Sequence, residues 1–153
     1  MKKYKATDIA NWFIYKFAES GDPITHLKVQ KLLYYAEAWY QVINNSELIE
    51  GEFQAWAHGP VVPEVFQAFR KHGWNTLPMP DKSALPKISS DAENILKQVL
   101  DSYGELPAKT LENMTHKDEP WIKARDGFEP EERCENIMPK SEIKKFFKHK
   151  YDM

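Results

Sequence analysis

A single cysteine, Cys134, is all the thiol chemistry this chain of 153 residues holds. One thiol closes no intramolecular disulfide and builds no cysteine-based zinc cage, which suits a reducing, cytoplasmic setting. Cys134 stands among Glu129, Glu131, Glu132 and Glu135, surroundings that fit an ordinary free cysteine better than a nucleophile. Apolar runs of roughly 18 residues, the length a membrane span needs, do not occur. The basic opening Met1-Lys2-Lys3-Tyr4-Lys5 runs into Asp8, Asn11 and Lys16, so no signal-peptide core forms. Charge of one sign is not in excess: 21 Lys and Arg against 23 Asp and Glu leave a formal net charge of -2. A nucleic-acid partner is therefore not expected, since nothing supplies a global basic field. The phosphate loops G-x-G-x-x-G and G-x-x-x-x-G-K-[ST] are absent, and with them the usual backbone cradle for a nucleotide. His26, His58, His72, His116 and His149 show neither H-E-x-x-H spacing nor cysteine partners, so no metal or other cofactor is expected.

What remains is ordinary globular material. Hydrophobic residues make up 42% of the chain and aromatic ones 13%, enough for one core over residues 1–153 and too little chain for two. Periodicity predicts a mainly α, single-domain helical fold around a central helix, with a small β-hairpin. The first helix runs 8–19, opened by Thr7-Asp8 and stopped by Ser20-Gly21-Asp22-Pro23. The central one runs 26–43: Val29, Leu32, Leu33, Ala36, Trp39, Tyr40 and Ile43 form a stripe about 120° wide at 100° per residue. Gln30, Lys31, Glu37 and Gln41 lie opposite that stripe. Leu33 and Ala36 should be almost fully buried.

Leu48-Ile49-Glu50 and Phe53-Gln54-Ala55-Trp56 flank Gly51-Glu52, a pattern that predicts the hairpin over 48–57. Pro63 suits a first helical position, and Val62, Val65, Phe66 and Phe69 then recur with helical spacing as far as Gly73, giving a helix over 63–72. Pro78, Pro80 and Pro86 make 74–88 an exposed connection. Further helices follow over 90–103, capped by Ser89 or Ser90, and from Pro107 to Thr115, and a short turn begins at Pro120-Trp121. Residues 129–153 read as a C-terminal extension, first acidic and then basic, with a last helix from about Ser141.

Two strings carry more than periodicity. In Ala55-Trp56-Ala57-His58-Gly59-Pro60-Val61-Val62-Pro63, Gly59 and the prolines are explained by turn chemistry, with His58 bonding the helix end. The same rigidity would let Trp56, Val61 and Val62 offer a preorganised contact at low entropic cost, and the loop should then lie at the surface. In the string from Thr115-His116 through Pro120-Trp121 to Ala124-Arg125, the tryptophan and arginine are either a core plug beside a surface ion pair or a second contact patch of hot-spot residue types.

Leu27-Lys28-Val29-Gln30-Lys31-Leu32-Leu33-Tyr34-Tyr35-Ala36, then Ala55 to Pro63, then Thr115-His116 with Pro120-Trp121 and Ala124-Arg125 together resemble the Panacea domain, the SocA-like antitoxins often described as phage-associated proteins. The likeness spans about 25–126; Val29 stands where the family usually has leucine. It implies a mostly helical, non-enzymatic domain that neutralises a cognate toxin, encoded by the adjacent gene, through direct protein contact. One relative instead hands its toxin to a protease. Partner-contact candidates are then Trp56, His58, Gly59, Pro60, Val61, Val62, Pro63, His116, Trp121 and Arg125. Two alternatives stay open: a hydrolase built on His58, His116 and a carboxylate, and a phage or host regulatory adaptor without a toxin.

Overall fold

The computed structural model describes residues 3–153; Met1 and Lys2 of the basic N-terminal run lie outside them. Among the described residues the fold is mainly α, with seven α-helices and three short strands. Helix α1 (Ala6–Glu19) starts two residues earlier than Thr7-Asp8 suggested and buries Ile9, Ala10, Phe13, Ile14 and Phe17. Helix α2 (His26–Asn44) is capped by the Thr25 hydroxyl, which accepts from the Lys28 amide. Strands β1 (Phe53–Trp56) and β2 (Gly59–Val61) precede α3 (Pro63–Phe69), which runs on into a 3-10 turn at Arg70–His72. Then come α4 (Ser90–Tyr103), with Ser89 as its cap, α5 (Ala108–Thr115), α6 (Glu119–Ala124), β3 (Ile137–Met138) and α7 (Lys140–Lys150).

Helix α2 is the axis of the molecule, packed against α1, α3, α4, α5, α7 and β2. Its apolar stripe is buried from Val29 to Tyr40, with Leu33 and Ala36 wholly enclosed and Trp39 half-buried, but Ile43 at its C-terminal end stands in solvent, 53% exposed. The opposite face is not in solvent: Gln30, Lys31, Glu37 and Gln41 are buried too. A helix wrapped on every side has no wet face, so its polar groups must find partners inside. Gln30, Lys31, Glu37 and Gln41 each find one on backbone outside the helix, Gln30 and Lys31 on 60–62. The Lys28 ammonium donates to the Gly104 carbonyl at 2.6 Å. Glu37 accepts from the Leu48 and Ile49 amides at 3.1 and 3.0 Å, and Gln41 donates to the Lys140 carbonyl at 3.1 Å. The Tyr34 hydroxyl donates to Asp118 at 2.8 Å. Helix α2 thus holds its surrounding loops by polar side chains as much as by apolar packing.

The hairpin exists but not over 48–57. Its turn is Ala57-His58, with Trp56 opposite Gly59, and not Gly51-Glu52. Leu48 and Ile49 cannot serve as its first strand because their amides are taken by Glu37, while the neighbouring backbone bonds to Tyr4 on both sides. Pro60 does not break the chain; it sits in an edge strand, where its missing N–H leaves no gap in the sheet. The sheet order is β2-β1-β3, and β3 is an addition that two residues of sequence could not announce.

Residues 129–153, read as an extension, are built into the same core. Strand β3 pairs with β1, and Ile143 and Phe147 of α7 are buried against α2. Lys140 lies 3.6 Å from Glu37 and also bonds the Ile49 carbonyl. In the 74–88 connection Leu77 is buried and its amide bonds Ile24 at 2.8 Å, while most of the rest is exposed.

Candidate functional site

The two strings singled out in the sequence meet at the β1–β2 hairpin, and α2 is what joins them. Gln30 of α2 pairs with the backbone just beyond β2: its side-chain oxygen accepts from the Val62 amide at 3.0 Å and its amide donates to the Val62 carbonyl at 3.3 Å. From the very next residue, the Lys31 amine donates to the Pro60 carbonyl at 2.9 Å. Gly59 makes this approach possible. A Cβ there would stand 2.7 Å from the Thr115 hydroxyl and 2.8 Å from Lys31 Cε, and its φ of +107° already disfavours a side chain. The spacing of Gln30-Lys31 to His58-Gly59-Pro60-Val61-Val62 is thus the spacing of a buried helix-to-hairpin clamp.

Behind the clamp sits a charged cluster. Glu112 of α5 is almost enclosed; one oxygen accepts from His58 Nδ1 at 2.9 Å and the other from Lys109 at 2.6 Å. Burial would raise its carboxyl pKa, but the hydrogen bonds from Lys109 and His58 outweigh burial and hold it below the usual range. Burial pushes the Lys31 amine down to about 7, against the pull of Glu112. The His26 imidazole is pushed down to about 4, first by burial and then by the Lys31 charge, so it is neutral and accepts from the Gln30 amide at 2.9 Å. His116 is stacked on Trp121 with ring centroids 4.2 Å apart, and burial lowers its pKa. The structure therefore brings His58 and His116 to the same carboxylate neighbourhood. The hydroxyl closest to them in sequence, that of Thr115, donates to the Glu112 carbonyl. His58 does not cap α3 as the sequence suggested; Glu112 has taken its ring.

The expected surface loop is only partly a surface. His58 is exposed and Trp56 half-buried, but Gly59, Pro60, Val61 and Val62 are buried, Val61 keeping 5% of its surface. Pinning the hairpin onto Gln30 and Lys31 draws these residues inward. The second patch is not a surface either. Trp121 is buried and donates to the Trp56 carbonyl at 2.8 Å. Arg125, with 3% exposure, donates to the carbonyls of Ala55, Glu129 and Glu132 at 2.8, 2.6 and 2.6 Å. Among the described residues no ion pair is involved: a guanidinium has five donors in a fixed fork, and the carbonyls of Ala55 in β1 and of Glu129, Pro130 and Glu132 in an irregular segment satisfy it. Arg125 is a clasp that holds 129–132 to the sheet.

What faces solvent here is a groove of about 280 Å³ between the hairpin, the start of α2 and α3 with its 3-10 turn. Leu27, Trp56, Val61 and Phe66 form its apolar wall, with Trp56 and Phe66 ring centroids 4.9 Å apart. Trp74 stands at its rim with 74% of its surface exposed, its ring 6.0 Å from that of His58 and edge-on to it. Leu27, Phe66, Arg70 and Trp74 were not among the partner-contact candidates drawn from the sequence. The one signal for Trp74 was a tryptophan in a connection otherwise poor in apolar residues. A second cleft, between α6 and α7, is lined by Glu119 and Glu142 as well as Lys123, Lys145 and His149, a mixed lining with no dominant chemistry. No helix among the described residues is long and apolar enough to cross a membrane.

Antitoxin SocA of Caulobacter vibrioides (strain NA1000 / CB15N) is 40% identical to this chain over 68 residues, which are 44% of this chain and 36% of that protein. The chain thus matches about a third of the length of this curated relative. No solved structure matches. The model of the SocA-like antitoxin family, Panacea domain, matches residues 29–122, a span that starts on α2, takes in the whole hairpin clamp and ends on α6, so the chain belongs to this family.

Proposed function

We propose that this chain is an antitoxin that neutralises a cognate toxin protein by direct contact, through the face that carries Trp56, His58 and Trp74. The observation that carries this reading is membership of an antitoxin family over the segment that builds that face. The surface supports it: an exposed tryptophan beside an open apolar groove is the residue type and setting of an interface anchor. The face is rigid before any partner arrives, because Gln30 and Lys31 fix the hairpin from inside, and rigidity reduces the entropic cost of binding. Such a role needs no catalytic group. Of the groups a hydrolase built on His58, His116 and a carboxylate would use, His58 bonds Glu112, which Lys109 also holds, and His116 is stacked on Trp121.

The test is co-expression with the product of the adjacent gene, scored for growth, co-purification and toxin level. Restored growth with a co-purifying toxin at undiminished level supports neutralisation by occupancy. Restored growth with a falling toxin level would point to delivery to a protease. Growth arrest that this chain does not relieve, with no complex recovered, would count against the reading.

A further inference from the structure

The groove beside Trp74 sets an apolar wall next to a cation, while Glu131 and Glu135 line the adjoining cleft that shares Trp56, His58 and Phe66 with it. None of the groove's own lining residues carries a carboxylate, and Arg70 stands at its edge. Arg70 and Lys71 are both exposed on the 3-10 turn, and among the described residues neither has an ion-pair partner within 4.0 Å. The polar groups at the base are already committed, since the Gln30 amide serves His26 and Val62, and His26 is neutral. What is left unmatched is therefore one apolar surface and one guanidinium, side by side. The volume of about 280 Å³ holds one large side chain, not a whole helix face. Apolar surface rimmed by an unpaired cation selects, by complementarity, a segment that presents an apolar side chain and a carboxylate close together.

We propose that this groove binds a short acidic segment of the partner protein, taking one leucine or aromatic side chain between Trp56, Phe66 and Trp74 while an adjacent Asp or Glu pairs with Arg70. The inference rests on the reading of the chain as a toxin-binding protein and specifies the part of the toxin it would hold. Trp74 supplies the apolar area that is buried only in the complex. Arg70 supplies orientation, since a guanidinium and a carboxylate meet in a two-pronged geometry that an ammonium cannot reproduce. The absence of acidic groups from the lining would favour such a segment over a basic one.

A displayed library of random 12-residue peptides, selected on the purified full chain, tests this without knowledge of the toxin. The enriched peptides are expected to carry Leu, Phe or Trp within two positions of Asp or Glu, and to bind more weakly as salt rises. Trp74→Ala should weaken their binding at least about thirtyfold and Arg70→Glu about tenfold, with melting temperatures unchanged because both side chains are exposed. Replacing the peptide's carboxylates by lysine should restore binding to the Arg70→Glu variant. Peptides without acidic enrichment, binding that neither variant weakens, or no enrichment at all would overturn the proposal. The co-expression assay separates the two readings. If both variants rescue growth as well as the parent chain, the groove assignment fails while the antitoxin reading stands; peptide capture without rescue leaves the reverse.

Discussion

The amine of Lys31, on a side chain with no solvent exposure, donates to the carbonyl oxygen of Pro60 at 2.9 Å. Burial holds its folded pKa at about 7, well below the 10.5 of a free lysine. Between those two values the unfolded chain carries a proton that the folded chain lacks, so Lys31 makes stability rise with pH across that window. The slope from one such group is at most about 1.4 kcal/mol per pH unit. Urea denaturation of the parent chain and of Lys31→Met at intervals from pH 7 to 9 should show their stability difference growing in favour of the parent. A constant difference would mean that the amine stays protonated inside.

Gly59→Ala should be costly for two separate reasons. The new methyl would meet Thr115 and Lys31 below 3.0 Å, and the backbone there has φ +107°. Overpacking and a left-handed backbone together should cost about 2–4 kcal/mol in equilibrium unfolding. Gly127 has φ +89° but nothing within 4 Å of a built Cβ, so Gly127→Ala, carrying only the backbone strain, should cost about 1–2 kcal/mol.

Arg125→Ala removes every bond that the guanidinium makes to Ala55, Glu129, Pro130 and Glu132. It should destabilise the chain by about 3 kcal/mol or more, because charge-assisted bonds are lost and buried carbonyls are left without donors. Limited proteolysis should then cut within 129–135 well before the rest of the chain. An unchanged cleavage pattern would show that the segment is held by something else.

Leu33→Ala tests the axis of the core. Leu33 is fully enclosed on α2, so truncation should cost about 2–5 kcal/mol, depending on how far the neighbours close on the cavity. A cost under about 1 kcal/mol would mean that the α2 stripe is loosely packed.

The helices were legible in the sequence because each writes its own signal locally. Pro63 and Ser89 mark starts, Gly73 marks a stop, and the spacing of Ile95, Leu96, Val99 and Tyr103 sets a face. The stripe on α2 was legible for the same reason, down to the burial of Leu33 and Ala36. Gly59-Pro60-Val61-Val62-Pro63 was recognisable as an unusual string and as part of a family pattern. The hairpin was legible only as a kind of element: local pattern placed its turn at Gly51-Glu52, whereas the strands turn at Ala57-His58.

Tertiary structure decided what the polar residues of α2 do. A periodicity of 3.6 places Gln30, Lys31 and Glu37 away from the apolar stripe, and for a helix with one wet face that means solvent. Here six elements surround α2, so the same residues become internal fasteners, each completed by a backbone group far away in sequence: Val62 for Gln30, Pro60 for Lys31, Leu48 and Ile49 for Glu37. The same holds for Arg125, an interface type by composition that four carbonyls turned into a clasp, and for Trp74, which the exposed 74–88 connection left in solvent but which only packing set beside a groove. The sequence by itself determined which segments coil and which faces are greasy, because those depend on neighbours three or four residues away. Which polar groups are buried, and which apolar one is left for a partner, depends on contacts across tens of residues, and only the packed chain decides it.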